Sequence, residues 1–172
     1  MVDEQRKINN KQLLAAARGN GNVEELLTDP KYRHPEDIDE YLFDINCRDV
    51  LGNTPLHLAV KSESVENVNL ILDAPLCDVD LQNHDGNTPL HLAVQIRDQM
   101  IRKAVVTVLI DEAGASDSTR LKNKAGQTPK DLCGIYCPDD LDVVRLASPP
   151  TRKLHQFLDQ DDVVSDDEEE SE

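Results

Sequence analysis

The chain has 172 residues, with 18 Lys and Arg against 34 Asp and Glu for a net charge of −16, and it carries three Tyr, two Phe and no Trp. The length suits one domain of ordinary size. Scarce aromatic rings argue against a single-stranded nucleic-acid binder, and the acidic balance argues against nucleic acid or an anionic membrane as partner, since both attract a concentrated positive field.

The four cysteines, Cys47, Cys77, Cys133 and Cys137, are scattered over a chain long enough to build a core without disulfide staples. The opening MVDEQRKINN is polar, and no apolar run approaches the roughly 18–20 residues that span a bilayer. The reading is a soluble monomer of a reducing compartment, cytoplasmic or nuclear.

In chain order, residues 1–11 are expected to be disordered. Leu13 to Ala17, the turn Gly19-Asn20-Gly21, and then Val23, Leu26 and Leu27 predict two short helices over 12–27. Residues 28–43 (TDPKYRHPEDIDEYLF) hold Pro30, Pro35 and three of the five aromatic residues. The second half of this stretch, 37–43, is read as a helical turn with Ile38, Tyr41 and Leu42 on one side.

The segment GNTPLHLAV then occupies 52–60 and returns at 86–94, 34 residues later, and a weaker copy, GQTPKDL, begins at Gly126, 40 residues after the second. Such identity at a fixed spacing marks an internal repeat. Gly52, Gly86 and Gly126 fit turn positions with positive φ, which glycine adopts without strain. Thr54, Thr88 and Thr128 fit helix N-caps, and Pro55, Pro89 and Pro129 then stand at the first helical position, where a missing N–H costs nothing. Leu56, Leu58 and Ala59, repeated as Leu90, Leu92 and Ala93, give each first helix one apolar face. Second helices are predicted over 65–72, about 101–110 and 139–147, where apolar residues recur at helical spacing. In the third copy Lys130 and Asp131 stand where the first two have Leu and His.

Ser148-Pro149-Pro150 ends regular structure, since each proline disfavours helix in the residue before it. Residues 151–158 (TRKLHQFL) are read as a linker or a short helix docked through Leu154, Phe157 and Leu158. Residues 159–172 hold nine acids and no Lys or Arg, while 1–158 hold 25 acids and 18 bases, so more than half of the net charge lies in the last 14 residues. A block of that composition is expected to be disordered. Ser165, followed by Asp-Asp-Glu-Glu-Glu, suits an acid-directed kinase and is read as a phosphorylation site.

With Asp44-Ile45-Asn46 and Asp49 ahead of Gly52, and Asp78-Val79-Asp80 ahead of Gly86, the GNTPLHLAV unit resembles the ankyrin repeat. The resemblance covers about 12–147. It implies an all-α repeat solenoid of about four helix-turn-helix units joined by short β-hairpins. These are an N-cap unit at 12–27, the insertion 28–43, full repeats at 44–77 and 78–117, and a C-cap unit at 118–147. Together with the acidic C-terminal segment, the pattern is similar to small fungal ankyrin-repeat proteins. One unit cannot bury its own apolar face, so units stack and the end units are atypical. Extra residues also fall around 97–103 and 113–119 and are read as loops.

The resemblance implies a protein partner on the concave face. Carried over, the hairpin positions are Val50, Leu51, Asn53, His84, Asp85, Asn87, Lys124, Ala125 and Gln127, and the inner-helix positions are Lys61, Ser62, Gln95 and Ile96. Val50, Leu51 and Ile96 are apolar where the family exposes its surface and are the expected anchors. By the same resemblance His57 and His91 bond locally to the motif threonines and tie neighbouring repeats together.

Nothing in the sequence calls for catalysis. Cys133-x-x-x-Cys137 lacks the remaining ligands of a zinc site of about four. No phosphate-binding glycine loop occurs. Glu24-Glu25 and Asp139-Asp140 suit helix starts, where acids complement the helix dipole. No catalytic residue, metal or cofactor is expected. The implied function is a non-enzymatic adaptor, scaffold or inhibitor. The alternative is a chaperone for a basic client, with the acidic segment shielding charge.

Overall fold

The computed structural model describes residues 2–35 and 40–150. The acidic segment 159–172 with Ser165, the short helix expected at 151–158 and the start of the helical turn expected at 37–43 lie outside the described residues.

Among the described residues eight α-helices follow one another: α1 (Val2–Ala17), α2 (Val23–Thr28), α3 (Pro55–Lys61), α4 (Val65–Leu72), α5 (Pro89–Ala93), α6 (Gln99–Thr107), α7 (Pro129–Tyr136) and α8 (Leu141–Leu146). Each odd-numbered helix packs on the even-numbered one that follows it, which makes four units. Successive odd helices pack on one another as an inner row, and successive even helices as an outer row. Among the described residues no helix is long and apolar enough to cross a membrane.

Local sequence starts every helix after the first. Thr54, Thr88 and Thr128 cap α3, α5 and α7 through their side-chain oxygens, with proline at the start of each helix. Asn22, Ser64, Asp98 and Asp140 do the same for α2, α4, α6 and α8. These helices run for only five to nine residues. That is too short to be stable alone in water, so stacking supplies the stability. Leu13, Leu56, Leu90 and Leu132 form a buried line along the inner row, and Val23, Val68, Val105 and Val143 one along the outer row. Ala59 and Ala93 are fully buried, and their small side chains let the two rows approach closely.

Three expectations are corrected. The N-terminal residues are helical from Val2, not disordered up to residue 11. Side chains fasten this extension. Asn9 is buried and its Nδ2 donates to the Leu42 carbonyl at 2.9 Å, and Asn10 Oδ1 accepts the Asp44 N–H at 2.8 Å.

The described part of the 28–43 insertion packs on this first unit. Tyr41 pairs with Arg33 in an isolated antiparallel bridge. The Arg33 guanidinium lies 3.8 Å from the centre of the Tyr41 ring, which stacks on buried Phe43 at 4.5 Å. Cation and ring attract, and the stack covers one face of each ring.

The extra residues around 97–103 are not a loop: Asp98 caps α6, and most of them form its first turn and a half. Those at 113–119 leave a π-helical turn, Val108–Glu112, through Gly114 at φ 71° and enter a 3₁₀ turn, Asp117–Thr119. Ala115, Ser118 and Thr119 are buried there, and Ser118 donates from both its N–H and hydroxyl to Asp80 Oδ1.

Candidate functional site

Three tips project ahead of α3, α5 and α7, and each is built the same way. Asp49 Oδ1 accepts the N–H groups of Leu51 and Asn53, Asn83 Oδ1 those of Asp85 and Asn87, and Asn123 Oδ1 those of Ala125 and Gln127. Two backbone bonds close each turn: Asp49 N–H to Asn53 O with Gly52 N–H to Asp49 O, Asn83 N–H to Asn87 O with Gly86 N–H to Asn83 O, and Asn123 N–H to Gln127 O with Gly126 N–H to Asn123 O. The connections are therefore tight turns closed by one side chain, with no strand ladder among the described residues.

The tips are locked to each other. The His84 N–H donates to Leu51 O at 3.0 Å, and the Lys124 N–H to Asp85 O at 2.9 Å. Asn83 Nδ2 donates to Asn53 Oδ1, and Asn123 Nδ2 to Asn87 Oδ1. Arg48 reaches the Gln82 carbonyl at 2.7 Å, and Gln82 in turn reaches the Lys122 carbonyl at 3.0 Å. Glycine is required at both of these joints. A Cβ on Gly52, at φ 76°, would lie 2.9 Å from the His84 backbone nitrogen, and one on Gly86, at φ 75°, 2.9 Å from the Lys124 backbone nitrogen.

The motif histidines belong to the same lock. Thr54 donates to His57 Nδ1 from its N–H and its hydroxyl, at 3.2 and 2.8 Å. An accepting Nδ1 leaves the proton on Nε2, which donates to Asn87 O of the next tip at 2.8 Å. His91 repeats this with Thr88 and reaches Gln127 O at 3.1 Å. Burial pushes His57 down to about 4 and lowers His91 as well, so both rings are neutral. In the last unit Asp131 accepts from the Thr128 N–H and hydroxyl, both at 2.8 Å, and so performs the local half of the task alone.

The positions expected to meet a partner divide into two groups. Val50 and Leu51 stand 89% and 57% exposed at the first tip, and Lys61, His84, Asp85, Lys124 and Ala125 are exposed as well. Asn53 is only 2% exposed, because it bridges Asp49 and Asn83. Asn87 and Gln127 are half-buried and spend their carbonyls on the histidines. Gln95 folds back onto the His91 carbonyl at 2.7 Å. Ile96 is not an exposed anchor: at 5% exposure it belongs to the core cluster, and Arg102 of α6 reaches back to its carbonyl at 2.8 Å.

Leu51, Asn53, Leu58, Lys61 and Ser62 line a groove of about 330 Å³ with Arg18 and Asp49. Arg18 and Asp49 pair across it at 2.6 Å. Burial opposes ionisation of Asp49, but the donors on Asn53 and Leu51 and the Arg18 guanidinium outweigh it and hold the carboxyl below the usual carboxylate range. Ser62 Oγ donates to the Ala17 carbonyl, so the groove floor joins the first two units.

Sequence reading missed two features. Leu76 is 89% exposed with φ 65°, in a turn where the next unit places Gly114 at φ 71°. A leucine in glycine's place was the available signal. The second is the buried pair of Arg102 and Asp140, 3.0 Å apart, for which spacing gives no clue because the partners are 38 residues apart.

The thiols offer no chemistry of their own. All four are free, and burial raises Cys47, Cys77 and Cys133 to about 12, so they stay protonated and poorly nucleophilic. Among the described residues no group of three His, Cys, Asp or Glu side chains is placed to hold a metal.

The family model for ankyrin repeats, in three copies, matches residues 12–120, well over half of the chain. No curated protein matches the chain. The fourth unit lies mostly beyond that match, yet its tip at 123–127 repeats the Asx-closed turn of the other two and its Thr128-Pro129 repeats their helix start. Matched repeats, capped helix pairs in two rows, and histidines that bond the second unit to the third and the third to the fourth describe one architecture, and the chain belongs to the ankyrin-repeat family.

Proposed function

We propose that this protein is a non-enzymatic adaptor that seats a folded protein partner across the first tip and the groove behind it. The family's general role as a protein-interaction module supports this. The observation that carries it is the exposure of Val50 and Leu51 on a tip that is fixed by hydrogen bonds within itself and from the next unit. Exposed apolar side chains on a rigid frame lose little entropy when covered, which suits an interaction hot spot.

The test is affinity capture with the full chain and with Val50→Asp/Leu51→Asp. The double variant is expected to lose at least ten-fold of the captured partner while its thermal melt stays within 2–3 °C of wild type, since both side chains face water. Undiminished capture would remove the first tip from the interface. A basic client would instead engage the acidic segment, and deletion of 159–172 at low salt would then abolish capture.

A further inference from the structure

The charge of the folded part is divided by row. The inner helices and their tips (residues 2–18, 46–62, 80–96 and 120–137) hold ten Lys and Arg against six Asp and Glu. The described residues of the outer helices and their connections hold six against sixteen. The inner side is therefore positive on a molecule of strongly negative net charge.

Pairing sharpens the contrast. On the outer side Lys31, Arg102 and Lys103 are neutralised by Asp29 and Glu25, by Asp140, and by Asp142. On the inner side Lys61, Lys122, Lys124 and Lys130 have no carboxylate partner among the described residues, nor do Arg6, Lys7 and Lys11 of α1. Three of the six inner-side acids are already engaged: Asp49 by Arg18, Asp80 by Ser118, and Asp131 by Thr128.

From this complementarity we propose that the acidic segment 159–172 of the same chain docks on the positive inner side. The described chain ends at Pro150, after α8. The eight residues of 151–158 can span up to about 28 Å, and neighbouring helices lie about 8–10 Å apart, so the acidic block starts within reach of α7, α5 and α3, and its own 14 residues extend that reach to α1. Tethering gives the segment an effective concentration on the order of millimolar, enough to populate contacts that are individually weak. The docked segment covers the groove at Lys61 and so competes with the partner; this competition, unlike the docking, rests on the adaptor reading. Phosphate on Ser165 adds about two negative charges and tightens the docking.

The test compares amide NMR spectra of the full chain and of a full-length variant with Asp166→Asn, Asp167→Asn, Glu168→Gln, Glu169→Gln and Glu170→Gln. Shift differences are expected around Lys61, Lys122 and Lys124 and not along α4 or α8. They should vanish at 0.5 M salt, where the Debye length is about 4 Å, and be unchanged by ten-fold dilution. Identical spectra, differences confined to the outer row, or differences that survive salt would overturn the proposal. Differences that fade on dilution would also overturn it, by showing the segment on a second copy. No partner is used, so failure here leaves the adaptor reading standing, and failed capture by the tip variant leaves the docking standing.

Discussion

At the scale of the residue, His57 shows how a motif side chain ties stability to pH. Its Nδ1 accepts two bonds from Thr54, so protonation there would set donor against donor and break the link to Thr54, while Nε2–H would still donate to Asn87. The unfolded chain takes up this proton near pH 6.5, while the folded chain resists it down to about pH 4. Between those values the unfolded state binds more protons, and stability falls as the pH falls. The shift corresponds to about 3 kcal/mol for His57 at full effect, and His91 acts in the same direction. Urea unfolding is expected to show a midpoint that drops steadily from pH 7 to pH 4.5, before the carboxylates titrate. A flat midpoint over that range would mean that the histidines are not held neutral. The identity and spacing of both histidines were legible in the sequence. Their acceptors, the carbonyls of Asn87 and Gln127, were not, because they lie 30 and 36 residues away across a unit boundary.

At the scale of the element, α6 and α8 are held by a buried charge pair. Arg102 Nη2 meets Asp140 Oδ2, and Arg102 Nη1 donates to the Ile96 carbonyl at 2.8 Å, while its Nε has no partner among the described residues. Asp140 Oδ1 also accepts the Val143 N–H at the start of α8. Asp140→Asn keeps that cap but strands a buried cation, and is expected to cost about 3 kcal/mol in urea unfolding. The double variant Arg102→Met/Asp140→Asn is expected to recover most of the loss, since no charge is then stranded. A double variant as unstable as the single one would show that the pair is not coupled. The same elements show where sequence pattern misleads. Extra residues at 97–103 suggested a loop, yet Asp98 had the chemistry of an N-cap, and the residues after it lengthen a helix.

At the scale of the whole molecule, the units matter through their joints, and an inner joint differs from an end. A Cβ on Gly86 would press on the backbone of residues 123 and 124, whereas one on Gly126 would meet nothing within 4 Å. Both glycines have φ near 75°. Gly126→Ala therefore carries only the left-handed strain of an L-residue, roughly 1–2 kcal/mol. Gly86→Ala adds a clash with backbone that is hydrogen-bonded on both sides, and is expected to cost at least twice as much in a thermal melt. Equal losses would mean that the second and third tips are not held in tight register.

The repeat motif alone determined the helix starts, the turn glycines and the line of buried leucines. Capping, proline placement and apolar spacing act within a few residues, so one unit's sequence suffices to read them. It also placed Val50 and Leu51 at an exposed tip. Tertiary structure decided what depends on the neighbouring unit. It buried Ile96 and Asn53, fastened residues 2–11 through Asn9 and Asn10 to the end of the insertion, and paired Arg102 with Asp140. It also sorted a negative chain into a positive inner row and a negative outer one. These outcomes turn on which surfaces meet across unit boundaries, and residues far apart in sequence carry no local signal of that meeting.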